Sequence, residues 1–334
     1  MRITLYFIIF LICAIFFSEI IFRAFFVFRL ETPLFLSSKK IINYFYYPEL
    51  KKVDSSRWSD GTFKILILSE STFNNDWGTM EAHLFENLSQ KMNKPIKIFN
   101  LAQSSQTSRD SYFKYEYLRK KHFDQVIFYH GLNDARANNC LDEMFKKDYS
   151  HYAYYRLINR KTRYENIPFF ITPFVLDVIF QQIKDRLCRT LYVPKEFPRK
   201  EWMDYGGKIK TREPFKENLS KILEIAKAKN ESVLLMTCAY YISEGYSLEK
   251  FKTRGLDYKA TRCPLEIWGN PENIEKTILA HNQVTRELAL EYRVSKFVDQ
   301  EKLMPKIGKY YNDICHLSDE GCELFIERLM DKIQ

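Results

Sequence analysis

The sequence predicts an α/β domain with a parallel sheet covered by helices on both faces, joined to one N-terminal transmembrane helix. Short apolar runs alternate with longer amphipathic segments beyond about residue 60, which is typical of strands and helices that share one sheet. The chain also begins with an apolar segment of the kind that crosses a bilayer. Its 334 residues, 46% of them hydrophobic, suffice for one such domain with a sizeable core.

The N-terminal segment is predicted to be an uncleaved, single-pass membrane anchor over residues 1–29. Residues 3–18 carry no charge, and the apolar character resumes through residues 20–28. Glu19 and Arg23 lie four residues apart, so on a helix they share a face and can neutralise each other. The whole helix is then long enough for a bilayer, which needs about 20 residues. A cleaved signal peptide is the alternative, although its apolar region is usually shorter and no small-x-small cleavage site follows.

The orientation of the anchor is left open by the charges around it. Basic residues stand on both sides of the segment (Arg2 before it; Arg23, Arg29, Lys39 and Lys40 at its end and beyond). The positive-inside rule therefore does not favour moving the C-terminal domain across the membrane.

A linker is predicted over residues 30–60, followed by the α/β domain over residues 61–334. The predicted strands are Phe63–Leu68, Ile96–Asn100, Gln125–Tyr129, Ser232–Thr237 and Lys296–Asp299. The predicted helices are Met80–Met92, Ser111–Lys121, Ile274–Tyr292 and Asp319–Lys332. A helical insertion at about residues 141–230 breaks this alternation, with helices predicted at Tyr152–Asn159 and Phe169–Leu187. The insertion either packs on the core or forms a lid or membrane-surface helix beside the active site.

The distribution of charge argues against a nucleic-acid partner. The net charge of +9 comes from 51 basic and 42 acidic residues scattered along the chain, without a basic stripe. We therefore expect no nucleic-acid partner, and nearness to anionic lipid or an anionic polymer explains the charge better.

The cysteines form no CxxC pair and no Cys/His cluster with metal-ligand spacing, so no metal is expected. Those beyond the anchor are either disulfide-bonded or buried free thiols (Cys140, Cys188, Cys238, Cys263, Cys315 and Cys322).

Polar side chains with catalytic chemistry follow the predicted strands. Ser71 comes after the first strand, Ser105 after the second and Asn133 after the third, and Asp313 and His316 follow the last one. Because ligands gather at the carboxyl ends of parallel strands, we expect these residues at one edge of the sheet.

A serine and an Asp–His pair are the parts of a nucleophilic site. A serine hydroxyl is a weak nucleophile unless an imidazole takes its proton, and the imidazole needs a partner that fixes its tautomer. Asp313 and His316, three residues apart on one turn, can form that pair. Ser69 is a rival to Ser71, because it lies only two residues away.

The tetrahedral intermediate of such a reaction needs hydrogen-bond donors for its oxyanion. The backbone N–H groups of Ser71 and Ser105 and the side-chain amide of Asn133 are the candidates. Gly131 is expected to allow a tight turn that points Asn133 inward, and Asp134 to orient the same loop.

The four segments resemble the blocks of the SGNH (GDSL-type) hydrolase superfamily, in order and at similar separations. Ser71 corresponds to the nucleophile of the first block, Ser105 to the oxyanion glycine of the second, and Asn133 to the asparagine of the third. Asp313 and His316, followed by Leu-Ser-Asp-Glu-Gly, correspond to the last block. The resemblance covers about residues 62–140 and 232–334. It implies a flavodoxin-like three-layer α/β/α fold, acyl-ester chemistry without a metal or cofactor, and an extracytoplasmic domain.

The sequence departs from the superfamily pattern in two places. The first block, normally Gly-Asp-Ser or Gly-Gly-Ser, is Ser69-Glu70-Ser71 here, and Ser105 replaces the glycine of the second block. If that position requires a positive φ, a serine there costs about 1 kcal/mol, while its N–H donor survives. Glu70 and Asp110 are expected to be solvated or supporting carboxylates.

The resulting hypothesis is a serine-dependent acyl-ester hydrolase that works through an acyl-enzyme on Ser71. Its substrate is expected to be an ester of a glycan or a lipid, such as an O-acetyl group, and the N-terminal helix is expected to contact membrane lipid. Two alternatives are left open. One is an O-acyltransferase of a surface polysaccharide, and the other is a binding protein that kept the fold and lost the chemistry.

Overall fold

The computed structural model describes residues 2–165, 167, 169–187, 200–293 and 295–333. Its strands are β1 (Phe63–Ser69), β2 (Ile96–Asn100), β3 (Gln125–Tyr129), β4 (Ser232–Met236) and β5 (Ser295–Val298). Its first helices are α1 (Arg2–Leu30), α2 (Ser38–Tyr46), α3 (Leu50–Ser55), α4 (Met80–Lys91), α5 (Ser108–Tyr117), α6 (Leu132–Arg136), α7 (Ala153–Ile158) and α8 (Thr172–Leu187). The later ones are α9 (Arg212–Lys229), α10 (Leu248–Lys252), α11 (Pro271–Glu291), α12 (Gln300–Leu303) and α13 (Asp319–Glu327).

The chain divides into two compact units. Unit 1 comprises Met1–Ser55 and Asp148–Tyr192, and unit 2 comprises Ser56–Lys147 and Val193–Gln334. The N-terminal helices therefore share a unit with a segment more than a hundred residues further along the chain, and the α/β sheet belongs to unit 2.

The five strands of unit 2 form one parallel sheet in the order β2-β1-β3-β4-β5. Every residue of β3 is buried, as is nearly all of β1, because a parallel sheet is covered on both faces and its central strands are apolar throughout. The predicted parallel sheet is confirmed, with strand ends that differ from the prediction by no more than one residue. Continuous apolar runs bounded by polar residues explain this agreement.

Helices cover both faces of the sheet, as two neighbouring residues of β3 show. Side chains of successive strand residues point to opposite faces. Phe128 packs against Phe215 of α9, with ring centroids 6.2 Å apart, whereas Tyr129 packs against Phe325 of α13 at 5.2 Å. Helices α5, α9 and α11 pack on one another, and α4 packs on α13. The result is the three-layer α/β/α arrangement that the sequence predicts.

Local capping explains where the helices of unit 2 begin. Asn270 caps α11, with Pro271 in its first turn, and the Ser318 hydroxyl accepts from Gly321 N at the start of α13. Helix α5 begins at Ser108, three residues before the predicted start, because Thr107 and Asp110 form a reciprocal capping box. Asp110 is thus a buried capping residue and is not solvated.

The structure divides the chain differently from the predicted domains. Residues 30–60, expected to be a linker, contain α2 and α3, and Ser37 caps α2. The expected insertion at 141–230 is divided between the two units. Helix α9 falls in unit 2 and contacts α5 and α11, because one of its faces is fully apolar and buried (Phe215, Leu219, Ile222, Leu223 and Ala226).

The N-terminal helix α1 matches the predicted anchor in position and length. Its span Ile3–Leu30 is long and apolar enough to cross a membrane, a test that a signal sequence also passes. Glu19 and Arg23 form the expected ion pair, with Arg23 Nε 2.7 Å from Glu19 Oε1.

The cysteines that the structure describes are unpaired: Cys13, Cys140, Cys238, Cys263, Cys315 and Cys322. Cys188 lies outside the described residues. Burial raises the pKa of the Cys140 thiol to about 11, so it is protonated at neutral pH. The described part of the chain therefore agrees with the buried-thiol alternative.

Candidate active site

The candidate residues of unit 2 follow the carboxyl ends of three neighbouring strands. Ser71, Ser105 and Asn133 come after β1, β2 and β3, which are adjacent in the sheet. The strand order 2-1-3-4-5 has its reversal between β1 and β3, where α/β sheets of this type form their binding crevice.

Ser71 begins a single 3₁₀ turn, Ser71–Phe73, directly after β1. The turn is held to the end of β2, because Asn100 Nδ2 donates to Phe73 O at 2.7 Å. Ser69 lies within the strand, is fully buried, and donates its hydroxyl to Tyr129 O at 2.8 Å. Of the two rival serines, only Ser71 therefore has a hydroxyl directed at a base.

His316 connects Ser71 to Asp313. The Nε2 atom of His316 lies 2.9 Å from Ser71 Oγ, and its Nδ1 atom lies 2.8 Å and 2.9 Å from the two oxygens of Asp313. A carboxylate next to Nδ1 makes that nitrogen the donor, which leaves Nε2 to accept the serine proton. The three residues thus have the mutual geometry of a nucleophile, its base and the partner that orients the base.

A short hairpin and three backbone N–H groups fix Asp313 and His316. Tyr311 and Leu317 form an antiparallel bridge around the pair. Asp313 accepts hydrogen bonds from the backbone N–H groups of His316 at 2.9 Å, Cys315 at 3.1 Å and Cys263 at 3.1 Å. The carboxylate is therefore held in one orientation by these donors.

Two tryptophans flank the imidazole, and the sequence prediction missed both. The Trp77 indole stacks on the His316 ring with centroids 4.3 Å apart and planes 18° apart, and Trp268 lies 6.4 Å away. Trp77 Nε1 donates to Ser104 Oγ at 2.7 Å, and its carbonyl accepts from the Arg262 guanidinium at 2.6 Å. No motif or spacing indicates either residue, because both come from loops without periodicity.

The Asn133 side chain is fixed from two sides. Its Oδ1 accepts from Trp268 Nε1 at 3.1 Å, and its Nδ2 donates to Gln106 O at 3.1 Å. Because Nδ2 carries two hydrogens, one remains for a developing oxyanion. These two hydrogen bonds identify which side-chain atom of Asn133 is the oxygen and which is the nitrogen. Trp268 thereby positions the Asn133 side chain.

Ser105 adopts a left-handed backbone conformation that favours glycine. Its φ is +64°, in the left-handed region where a side chain is unfavourable. The N–H group of the residue is kept, so the substitution strains the loop and removes no donor.

We expect Ser105→Gly to be more stable than Ser105→Ala. Alanine keeps the unfavourable φ whereas glycine relieves it, which is worth about 1 kcal/mol, or about 2–4 °C in Tm for a domain of this size. Thermal unfolding of the two variants in detergent measures the difference, and the matched pair cancels the loss of the serine hydroxyl. Equal melting temperatures would show that the loop is unstrained.

Gly131 is required for a different reason from the one predicted. Its φ is 166°, which is extended backbone that any residue can adopt. A Cβ atom at this position would lie 2.8 Å from the Cβ of Cys238, too close for any side chain. Gly131 therefore permits close approach of β3 and the loop after β4. Asp134 acts as expected on this loop: it accepts from Ser108 N at 2.9 Å and Ser108 Oγ at 2.7 Å.

Glu70 is buried, which agrees with the supporting role that was one of its two predicted alternatives and not with the solvated one. Its two oxygens accept from Leu132 N at 3.2 Å and Asn133 N at 3.0 Å, so it ties the end of β1 to the loop that carries Asn133. Burial raises the pKa of its carboxyl to about 8, against the lowering effect of the backbone donors.

The raised pKa of Glu70 predicts a pH-dependent contribution to stability. Below the pKa that Glu70 has in the unfolded chain, its protonated carboxyl contributes fully to stability. The contribution is lost as the pH rises through about 8, because the unfolded chain releases this proton more easily than the folded one. Between about pH 4.5 and 8, the free energy of unfolding of the native protein should decrease with pH by up to about 1.4 kcal/mol per pH unit more than that of Glu70→Gln. Melting temperatures of both proteins across this range test it, and parallel curves would contradict it.

One cluster in the site has the atoms of a metal site. A sulfur of Cys263 and the acceptors of Asp313 and His316 lie within 4.8 Å of one another. Burial raises the pKa of the Cys263 thiol to about 12, which disfavours the thiolate that a metal needs. Asp313 is already bound to His316 and to three N–H groups. The donor set thus suits the Asp–His–Ser arrangement better than a metal ion.

Comparison with solved structures finds ester-acting enzymes at low sequence identity. No protein-family model matches the chain, and no curated protein matches its sequence. A GDSL-like lipase from Bacteroides thetaiotaomicron is 13% identical with a TM-score of 0.47, and the alignment covers 87% of this chain and 97% of that one. An acetyl xylan esterase from Geobacillus stearothermophilus is 14% identical with a TM-score of 0.47, over 81% and 94% of the two chains. A lipase/acylhydrolase from Enterococcus faecalis is 14% identical with a TM-score of 0.40, over 81% and 95%.

The fold is described by its own sheet topology, and the chemistry of the site by its own geometry. The parallel sheet in the order 2-1-3-4-5, with helices on both faces, is the architecture that the four sequence segments imply. The chain has a three-layer α/β/α fold built on this parallel sheet.

Proposed function

We propose that this protein cleaves acyl esters through an acyl-enzyme on Ser71. The observation that carries the proposal is the continuous hydrogen-bonded chain from Ser71 Oγ through His316 to Asp313. Its lengths of 2.9 Å and 2.8 Å lie within the range for proton transfer from a nucleophile to its base.

The reaction has two halves. Ser71 Oγ forms a bond to the ester carbonyl carbon while its proton moves to His316 Nε2, and the negative charge develops on the former carbonyl oxygen. The N–H groups of Ser71 and Ser105 and the free amide hydrogen of Asn133 stabilise that oxygen. The C–O bond to the alcohol then breaks, and the alcohol takes the proton from His316. In the second half water attacks the acyl-enzyme, with His316 again as base, and releases the acid and Ser71.

The surroundings of Ser71 favour a small acyl group. Only 7% of Ser71 is exposed, and the indoles of Trp77 and Trp268 lie against His316. An acetyl ester of a glycan or lipid fits this confinement better than a long acyl chain. An acceptor alcohol in place of water would make the same acyl-enzyme an acyltransferase.

Labelling with a fluorophosphonate tests the proposal, because only an activated serine displaces fluoride from such a reagent. The full-length protein in detergent should be labelled, and peptide mapping should place the adduct on Ser71. Ser71→Ala should lose the label while Ser69→Ala keeps it. A folded protein that takes no label would instead support the binding-protein alternative, and an adduct on Ser69 would reverse the assignment of the nucleophile.

A further inference from the structure

Helix α8 of unit 1 exposes an apolar stripe to its surroundings. The exposed residues recur at intervals of three or four and therefore lie on one side of the helix (Leu176, Ile179, Phe180, Ile183 and Leu187). Phe180 is 68% exposed and Leu187 79%, which is unusual for large apolar side chains in contact with water. Phe174 and Val178 are buried on the opposite side.

The protein-facing side of α8 carries the helix's acidic residues. Asp177 pairs with Arg160, and Asp185 pairs with Arg156 at 2.6 Å. Gln181 lies between them, is buried, and accepts from Arg160 at 2.6 Å. A helix on the surface of a water-soluble domain has the reverse arrangement, with its charges outward and its apolar stripe inward. The distribution on α8 is the one expected where the outer medium is apolar.

Two charged residues of α1, Glu19 and Arg23, hold the N-terminus of α8. The Glu19 carboxylate accepts from the backbone N–H groups of Ile171 and Thr172 at 2.9–3.0 Å and from Thr172 Oγ at 2.8 Å, as a capping group does. Arg23 bonds to Glu19 and donates to Phe169 O at 2.8 Å. The charges that interrupt the apolar anchor thus join α8 to it.

Helix α1 still has an apolar exposed side beyond Glu19, the residue that caps α8. On one side Glu19, Arg23, Phe26 and Leu30 are buried within unit 1. On the other, Ile20, Ile21, Phe25 and Phe28 are exposed. The last third of α1 is therefore buried on one side within unit 1 and exposes apolar side chains on the other. Helix α8 begins beside this part of α1.

We propose that α8 lies in the interfacial layer of the bilayer that α1 enters, with its apolar stripe among the acyl chains. Exposed Lys184 and Arg186 lie on either side of the stripe, where their long side chains can reach the headgroups. A helix of this kind is buried by about 5–10 Å at the boundary between headgroups and acyl chains. The inference concerns unit 1 and does not depend on the chemistry at Ser71.

Tryptophan fluorescence in vesicles of phosphatidylethanolamine and phosphatidylglycerol tests the proposal on the full chain. Phe180→Trp places a probe in the stripe, and Gln182→Trp places a matched probe on another side of the same helix. Phe85→Trp, an exposed position on α4 of unit 2, provides a reference probe outside unit 1. The signal of the native tryptophans is subtracted. With bromine in the upper acyl chains, quenching of Phe180→Trp should exceed that of Gln182→Trp by about twofold or more.

The opposite results are equally defined. Quenching of Phe180→Trp no greater than that of Gln182→Trp would overturn the proposal. A photoreactive benzophenone at position 180, used in native membranes, distinguishes lipid from protein as the partner that covers the stripe. Lipid adducts support the proposal, whereas adducts only to a second copy or to another protein show that a protein covers the stripe and overturn it.

Discussion

Ser71→Ala is expected to lower kcat for a chromogenic acetyl ester by about 10⁴–10⁶-fold. The substitution removes only the Oγ atom that lies 2.9 Å from His316 Nε2. It leaves the Ser71 N–H and the remaining oxyanion donors in place, so a residual acceleration over the uncatalysed reaction should persist.

The control for this variant is its neighbour in the sequence. Ser69→Ala removes a hydroxyl that donates to Tyr129 O and faces no base, so its kcat should stay within about tenfold of the native value if the protein folds. Melting temperatures of both variants separate a loss of chemistry from a loss of structure. Activity retained in a folded Ser71→Ala protein would show that another group is the nucleophile.

Asp313→Asn is expected to lower kcat by about 10⁴-fold while the site keeps its shape. The Asn oxygen can still accept from the N–H groups of Cys315 and His316. An NH₂ group in the place of Oδ2 cannot accept from His316 Nδ1 or from Cys263 N. The imidazole would then carry its proton on Nε2, where it can no longer take one from Ser71.

Asp319→Asn supplies the matched comparison, because it makes the same chemical change on an exposed carboxylate of the same segment. Asp319 contacts Thr79 and His83, and its side chain is 72% exposed. Its kcat should be within a few-fold of the native value. Equal losses in the two variants would show that Asp313 acts through stability and has no part in orienting the base.

The parts of the fold that periodicity encodes were predictable. The apolar runs of β1, β2 and β3 ended within a residue of their predicted ends, and α4 began where predicted. The start of α5 was misplaced because Thr107-x-x-Asp110 is a capping signal outside the apolar pattern. Helix boundaries depend on such single hydrogen bonds, which periodicity does not contain.

The candidate site was predictable to the extent that each of its parts is local. Asp313 and His316 are three residues apart, so their pairing needs only one turn of chain. Their approach to Ser71 spans 245 residues and depends on the order of the strands. The stacking of Trp77 and the hydrogen bond from Trp268 to Asn133 had no local signal at all.

By itself, the sequence determined the alternation of strands and helices, the apolar N-terminal helix, and the polar residues at the strand ends, because periodicity and turn chemistry are local properties of the chain. Only the tertiary structure decided that Ser69 faces a carbonyl, that Glu70 is buried, and that Glu19 holds a helix 153 residues away. Each of these depends on which groups long-range packing removes from water and which partners it brings to them. That is a property of the folded chain as a whole.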